Sequence, residues 1–399
     1  MGRALVVCVV VTLALPTITA CSSVPTRRKK EKVVLTPAQK GKKALRDAIN
    51  SEEDGNYDRA ERKYKKALSL RPDHRTTNLR YVHFLIDRGR PLDAVDIGDA
   101  YQQRNIGEPR SYHLLADAQI AAGDFRAAIK TMDTVIELDD EDAEAYEKRG
   151  RAYVLSDQLI PGTKDIRNAV ELAPDNVEYR VSLGSVLQKS KKLKESALQL
   201  RSALKLDNES ARAHLILGLV LRAQGNIGEA LSHHLKAVRL DRKDPVAQFQ
   251  LGITQNAQGD NYAAEKSLAK ACKMDPDNAT NWYAYGDILR ILEKYDEAIP
   301  AYRKALEIDP NHPKAENKLG VALYNTGQLD EAEVVLSAGL RKEPKTPMPY
   351  FNLGMVYSMG GKNRLAIAAF EKYLELAPKS GSDVSIAKKK IRELRKRLR

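Results

Sequence analysis

Seven glycines recur at one interval: Gly150, Gly184, Gly218, Gly252, Gly286, Gly320 and Gly354 stand 34 residues apart, with no insertion or deletion between them. This constrains the fold of the 399-residue chain more than any composition does. A unit of such length cannot bury its apolar face alone, and stacked neighbours supply the missing surface. Thirty-four residues accommodate two antiparallel helices with their turns. A glycine fixed in the first helix then marks where the second approaches closely.

Other places of the unit keep the same interval. In a frame of ten units from Gly41 to Ser380, the second helix carries Ala60, Ala94, Ala128, Gly162, Ser196, Ala230, Ala264, Ala298, Ala332 and Ala366 at one place. All are small, which permits a short interaxial distance. Many units close on proline (Pro72, Pro174, Pro276, Pro310, Pro344, Pro378), which ends the second helix and starts a turn. Aromatic residues recur at Tyr112, Tyr146, Trp282 and Tyr350, and again at Tyr64, Tyr302 and Phe370. Repeats one and two depart most, with Ala48 and Val82 replacing the glycine and Ile106 the proline.

The run Trp282, Gly286, Ala298, Tyr302, Ala305, Pro310 resembles the tetratricopeptide repeat, and the resemblance covers residues 41–380. It implies an all-α fold: an α-solenoid of about ten helix-turn-helix repeats, wound as a right-handed superhelix. Residues 381–399 read as a basic amphipathic helix, with Val384, Ala387, Ile391, Leu394 and Leu398 at helical spacing. Such a helix caps the last repeat, and its charged face also suits an acidic partner or a membrane surface.

The net charge of +13 suggests nucleic acid until it is located. Residues 21–40 hold six Lys/Arg against Glu31, residues 381–399 hold eight against Asp383 and Glu393, and Arg3 lies in the leader. Those net values of five, six and one leave about +1 for the repeats, so no continuous phosphate-tracking surface is expected.

Residues 1–20 read as an export signal, with Arg3, an apolar run from Ala4 to Leu15, then Pro16 and small or polar residues. Ile18, Thr19, Ala20 and Cys21 resemble a bacterial lipobox, which implies lipidation (palmitate) at Cys21. A plain secretory peptide or an uncleaved anchor is the alternative. Ser22 follows the cysteine where an inner-membrane lipoprotein would carry aspartate, so the resemblance implies a lipid anchor in the outer membrane, facing the periplasm. Residues 21–40 form a basic linker, either lying against anionic headgroups or acting as a spacer. Cys272 would be the only thiol of the mature chain, which excludes an intramolecular disulfide there.

The sequence carries no constellation for enzymatic catalysis. The seven histidines are scattered, and His233 and His234, being adjacent, point in different directions on a helix. Neither a metal, a cofactor, a small-molecule substrate nor a nucleic acid is expected. In the family, the second, fifth, ninth, twelfth and thirteenth places of each unit face the concave groove. Carried over, these are Leu215, Leu219, Val246, Phe249, Ile253 and Tyr283 in repeats six to eight, and Met348, Phe351, Met355 and Met359 in repeat ten. Apolar side chains there suit a peptide or amphipathic helix of a protein partner, unless neighbouring helices bury them. Corresponding places in repeats three, four and eight are polar (Arg110, Asp117, Glu144, Glu147, Arg151, Asp287, Arg290), and Asn256, Asn317 and Asn325 are candidates for bonding a peptide backbone.

The expectation is a membrane-tethered lipoprotein scaffold of the cell envelope. The chain resembles the pilotin-like lipoproteins of type IV pilus secretins in anchor and repeat type, although it carries more repeats. An assembly factor for secretion or export and a regulatory subunit of an envelope enzyme are the other readings.

Overall fold

The computed structural model describes residues 35–312 and 314–398. The leader, Cys21 and the basic stretch as far as residue 34 lie outside the described residues. Those described contain twenty-one α-helices and no strand, which makes the fold an all-α repeat solenoid. They divide into two compact units, one ending at Thr77 and the other beginning at Asn78.

In the first unit, helices Pro37–Glu53 and Tyr57–Leu70 pack together, burying Ala44, Leu45 and Ala48 on one and Ala60, Tyr64 and Ala67 on the other. Thr36 starts the first helix with a capping box: its Oγ1 accepts from the Gln39 amide at 3.2 Å while Gln39 Oε1 accepts from the Thr36 amide at 2.9 Å. Pro37 follows at the first helical position, where its missing N–H leaves no bond unmade. The linker expected through residue 40 is corrected by this cap, because residues 37–40 are helical.

In the second unit every second helix from repeat three onward begins at the seventeenth place: Phe125, Leu159, Leu193, Ile227, Asn261, Tyr295, Leu329 and Asn363. First helices begin at the first place, as at Pro109, Ala143, Val177, Ala211, Pro245, Ala279 and Pro347. Repeat nine differs: its first helix begins at Ala315, after Lys314 in the left-handed region at φ 73°. The turn inside each repeat also takes the left-handed region, at the fifteenth place. Glycine, free of the Cβ clash, fills it in seven repeats, whereas Asp157, Lys191 and Glu293 adopt φ of 59–63°.

From repeat four onward, the glycine of each first helix sits against one side chain sixteen residues on. A Cβ at Gly184 would lie 2.5 Å from Leu200, at Gly252 2.7 Å from Leu268, at Gly286 3.0 Å from Tyr302 and at Gly354 2.6 Å from Phe370. Those partners are fully buried. The small residue of the second helix completes the approach: Ser196 Oγ donates to Gly184 O at 2.6 Å, and a Cβ at Gly162 would meet Gly150 O at 2.8 Å.

Between repeats, side chains reach back over the closing proline. Arg180 Nε donates to Pro174 O at 2.7 Å, Trp282 Nε1 to Pro276 O at 2.8 Å and the Tyr350 hydroxyl to Pro344 O at 3.2 Å. Ion pairs with a fixed 28-residue step join successive second helices, Arg201 to Glu229 at 2.8 Å and Arg303 to Glu331 at 2.6 Å. Exposed pairs of this kind add little stability and mainly mark the stacking register. The terminal helix, Ser382–Arg397, lays Val384, Ala387, Ile391 and Leu394 against Phe370 and Tyr373, closing the apolar end of repeat ten.

In repeat six the side chain against the glycine is His234, fully buried where neighbouring repeats place Leu200 and Leu268. Its Nδ1 lies 2.8 Å from Thr254 Oγ1, and its Nε2 abuts Gly218 without a hydrogen-bond partner. Burial, aided by the Arg222 guanidinium, pushes its pKa down to about 4.

Two outcomes follow from this packing. Gly252→Leu forces the helix pair apart at Leu268 and should lower stability by about 1–3 kcal/mol in denaturant titrations. The histidine acts through pH. The unfolded chain binds a proton at His234 near the ordinary value of 6.5 and the folded chain only near 4, so stability is kept above 6.5 and lost as pH falls toward 4. That loss is on the order of 3 kcal/mol. Stability measured at pH 7, 5 and 4 should fall in the native chain and fall much less in His234→Leu, where His214 and His233, also depressed by burial, leave a residual slope.

Candidate functional site

Within the second unit, first helices of successive repeats touch one another from repeat three to repeat ten. Successive second helices make no comparable approach among the described residues. The first-helix side is therefore the side of closer spacing, where one extended ligand reaches several repeats.

Its character changes along the array. In repeats three and four the face is charged, and the charges are tied to one another. His113 Nε2 lies 2.9 Å from Asp142 Oδ2, and the half-buried Asp117 carboxylate accepts from Lys148 and, at 3.4 Å, from Arg151. Lys148 also approaches Glu144 at 3.2 Å, while Glu147 Oε1 accepts from Ser182 Oγ of the next repeat at 3.1 Å. Burial and the Glu144, Glu147 and Asp142 carboxylates push the Tyr179 hydroxyl up to about 12, so it stays a neutral donor. Apart from His113 Nδ1, which is buried without a hydrogen-bond partner, these groups are paired internally, so a ligand gains little by displacing them.

In repeats six and seven, Leu215, Leu219, Phe249 and Ile253 are half-buried and Val246 is 53% exposed. Phe249 and Ile253 rest together on the cluster of Ala264, Leu268, Ala284 and Ile288. Tyr283 rests on the next cluster, its ring 6.0 Å from Tyr302 and 4.7 Å from His312, and Tyr285 joins the two. Arg222, at the twelfth place of repeat six, is drawn sideways onto Gln250 Oε1 at 2.8 Å and Thr254 Oγ1 at 3.1 Å.

Repeat eight interrupts the apolar surface, with Arg290 bonded to Asp287 at 2.9 Å and the Tyr302 hydroxyl donating to the same carboxylate at 3.3 Å. In repeat ten, Phe351 meets Phe370 and Tyr373 edge-on, with centroids 5.7 and 5.2 Å apart, and Met355 packs beside it. Met359 is 58% exposed. Met348, at 38%, lines a separate cavity of about 440 Å³ with Lys318, Leu336 and Lys342. Of the predicted residues, Phe249 and Ile253 share one cluster, Tyr283 lies on the next, Phe351 and Met355 share a third, and Met348 and Met359 border separate recesses.

Two of the predicted polar contacts are already engaged: Asn317 Oδ1 accepts from Asn352 Nδ2 at 2.7 Å, and Asn325 Nδ2 donates to Val321 O at 2.8 Å. Cys272 is buried, and burial pushes its thiol up to about 12, which leaves it unreactive. Among the described residues no three His, Cys, Asp or Glu side chains converge to hold a metal ion, and no helix is long and apolar enough to cross a membrane.

Comparison with solved structures returns many matches, among them the following of low identity. The Cut9–Hcn1 hetero-tetramer of the APC/C is 16% identical over 89% of this chain and 76% of that chain, with a TM-score of 0.51. PilF of Pseudomonas aeruginosa is 18% identical over 52% of this chain and 95% of its own, with a TM-score of 0.48. YrrB, described as a TPR protein with an unusual peptide-binding site, is 24% identical over 47% of this chain and 96% of its own, with a TM-score of 0.37. At such identity the Cut9–Hcn1 likeness speaks to the fold alone, and the other two carry no argument. No curated protein matches. Sequence models of the tetratricopeptide repeat match residues 51–109, 113–157, 181–245, 249–313, 289–353 and 349–380. With matches along so much of its length, this chain belongs to the tetratricopeptide repeat family, whose fold serves as a scaffold for protein–protein interaction.

Proposed function

We propose that the chain is a non-enzymatic, membrane-tethered scaffold that holds an apolar peptide or amphipathic helix of another envelope protein along the first helices of repeats six and seven. The observation that carries this reading is the row Leu215, Leu219, Val246, Phe249 and Ile253, apolar side chains left half-buried or exposed beside a face whose charges are internally paired. Apolar surface in such a row is stabilised by a partner that covers it. Phe249 is the natural anchor, a large side chain held at its base by Leu268 and Ile288 with its remaining surface open.

Detergent-solubilised envelopes passed over the immobilised chain supply the test. Phe249→Ala should reduce partner recovery, with an affinity loss of about 2 kcal/mol or more, and should lower folding stability by less than that. If stability falls while recovery keeps pace with the folded fraction, the row is core and the proposal fails.

Tethering rests on the sequence around Cys21. Cys21→Ser should move the protein from the membrane fraction to the soluble fraction, because the basic stretch alone gives only weak, reversible attachment. Unchanged fractionation together with absent incorporation of labelled fatty acid would reject the anchor and leave the scaffold reading intact.

A further inference from the structure

The terminal helix does more than close repeat ten. Between Ser382 and Arg397 it carries seven Lys/Arg against Asp383 and Glu393. On one flank Arg395 pairs with Glu371 of the last repeat at 2.6 Å. On the opposite flank Lys390 and Arg397, two turns apart and so on one face, border a recess of about 240 Å³ on the first-helix side. Its other walls include Tyr324, Met355 and Met359, and Glu393 supplies one carboxylate to the rim. Neither Lys390 nor Arg397 forms an ion pair among the described residues. Two cations against one acid leave the recess positive, and its exposed lining is mainly polar, with Met359 and Tyr324 giving it an apolar edge. The methionines, unbranched and polarizable, adapt to varied apolar shapes.

We propose that this recess binds an acidic segment of a partner protein, seating one carboxylate between Lys390 and Arg397 and an adjoining apolar side chain on Met359 and Tyr324. The proposal rests on the reading of the first-helix side as a protein-binding surface and adds the chemistry of the partner at its C-terminal end. Charge complementarity favours a carboxylate, and the guanidinium of Arg397 matches it in geometry. A recess the size of one or two side chains, set between helices, suits a peptide side chain better than the plane of a lipid headgroup layer. The outward cations Lys389 and Lys396 provide the comparison, since they carry the same charge on the solvent face.

The test uses the full chain and a fluorescein-labelled peptide of alternating Glu and Leu, followed by anisotropy. Lys390→Glu combined with Arg397→Glu should weaken binding at least about tenfold, whereas Lys389→Glu with Lys396→Glu, an equal change of charge, should weaken it less than about threefold. Replacing the peptide's Glu by Gln should lose as much as the first pair, and Met359→Ser should lose about threefold or more. Equal losses from the two charge pairs, indifference to Met359, or absence of binding would overturn the proposal. So would anisotropy unaffected by the variants alongside variant-sensitive binding to phosphatidylglycerol vesicles, which would assign the surface to lipid. Phe249→Ala should leave the probe's affinity within about twofold, because the two sites share no side chain. Failure of the recess with capture still dependent on Phe249 sinks this proposal alone.

Discussion

Close approach of two helices at a single glycine is the constraint on which the repeats from Gly150 to Gly354 depend. With hydrogen in place of a side chain at Gly184 or Gly252, the leucine sixteen residues on settles against helix backbone, and the small residue of the second helix comes within hydrogen-bonding reach, as Ser196 does to Gly184 O. Once that distance is set, the turn has one way to connect the helices, through a left-handed residue at the fifteenth place. Addition or removal of a residue there would rotate the second helix by about 100° and turn its alanines out of the contact. Rigid spacing in the sequence is thus the record of a steric requirement.

That record explains which parts of the fold were legible. Gly150 through Gly354, the alanines and the closing prolines are backbone requirements that few residues meet, so they stand out without any partner being known. The turn glycines obey the same interval but are less visible, since Asp157, Lys191 and Glu293 accept the strained region in three repeats. The start of the first helix was present in Thr36, Pro37 and Gln39, a capping box preceding a weakly apolar segment. Its low apolar content hid it, because helical periodicity is read from buried residues and only the later turns of that helix bury any.

The candidate surface was legible in part for a different reason. Residue type showed where the first-helix side is apolar, but not which polar residues are already engaged. Lys148 reaches Asp117 and Ser182 reaches Glu147 across 31 and 35 residues, so those bonds exist only after one repeat stacks on the next. Asn317 was consumed by Asn352 in the same way. Likewise Lys390 and Arg397 read as part of a solvated basic face, and only the packing of Ile391 and Leu394 on the last repeat turns their flank toward Met359.

A solenoid separates stability from recognition more cleanly than a globular core does. From repeat four onward each repeat is held by its own glycine contact as well as by the interface with its neighbours, so the places facing the first-helix side are free to differ from repeat to repeat. This chain uses that freedom unevenly. Paired charges close the face in repeats three and four, a buried histidine occupies an apolar place in repeat six, and Phe249 and the methionines keep apolar surface open farther along. Desolvating the paired charges would return little to a ligand, whereas covering Phe249 or Met359 removes apolar area from water without breaking an internal bond. On the proposed reading, binding free energy would be concentrated at those open places, and the charged repeats would disfavour partners lying elsewhere along the array.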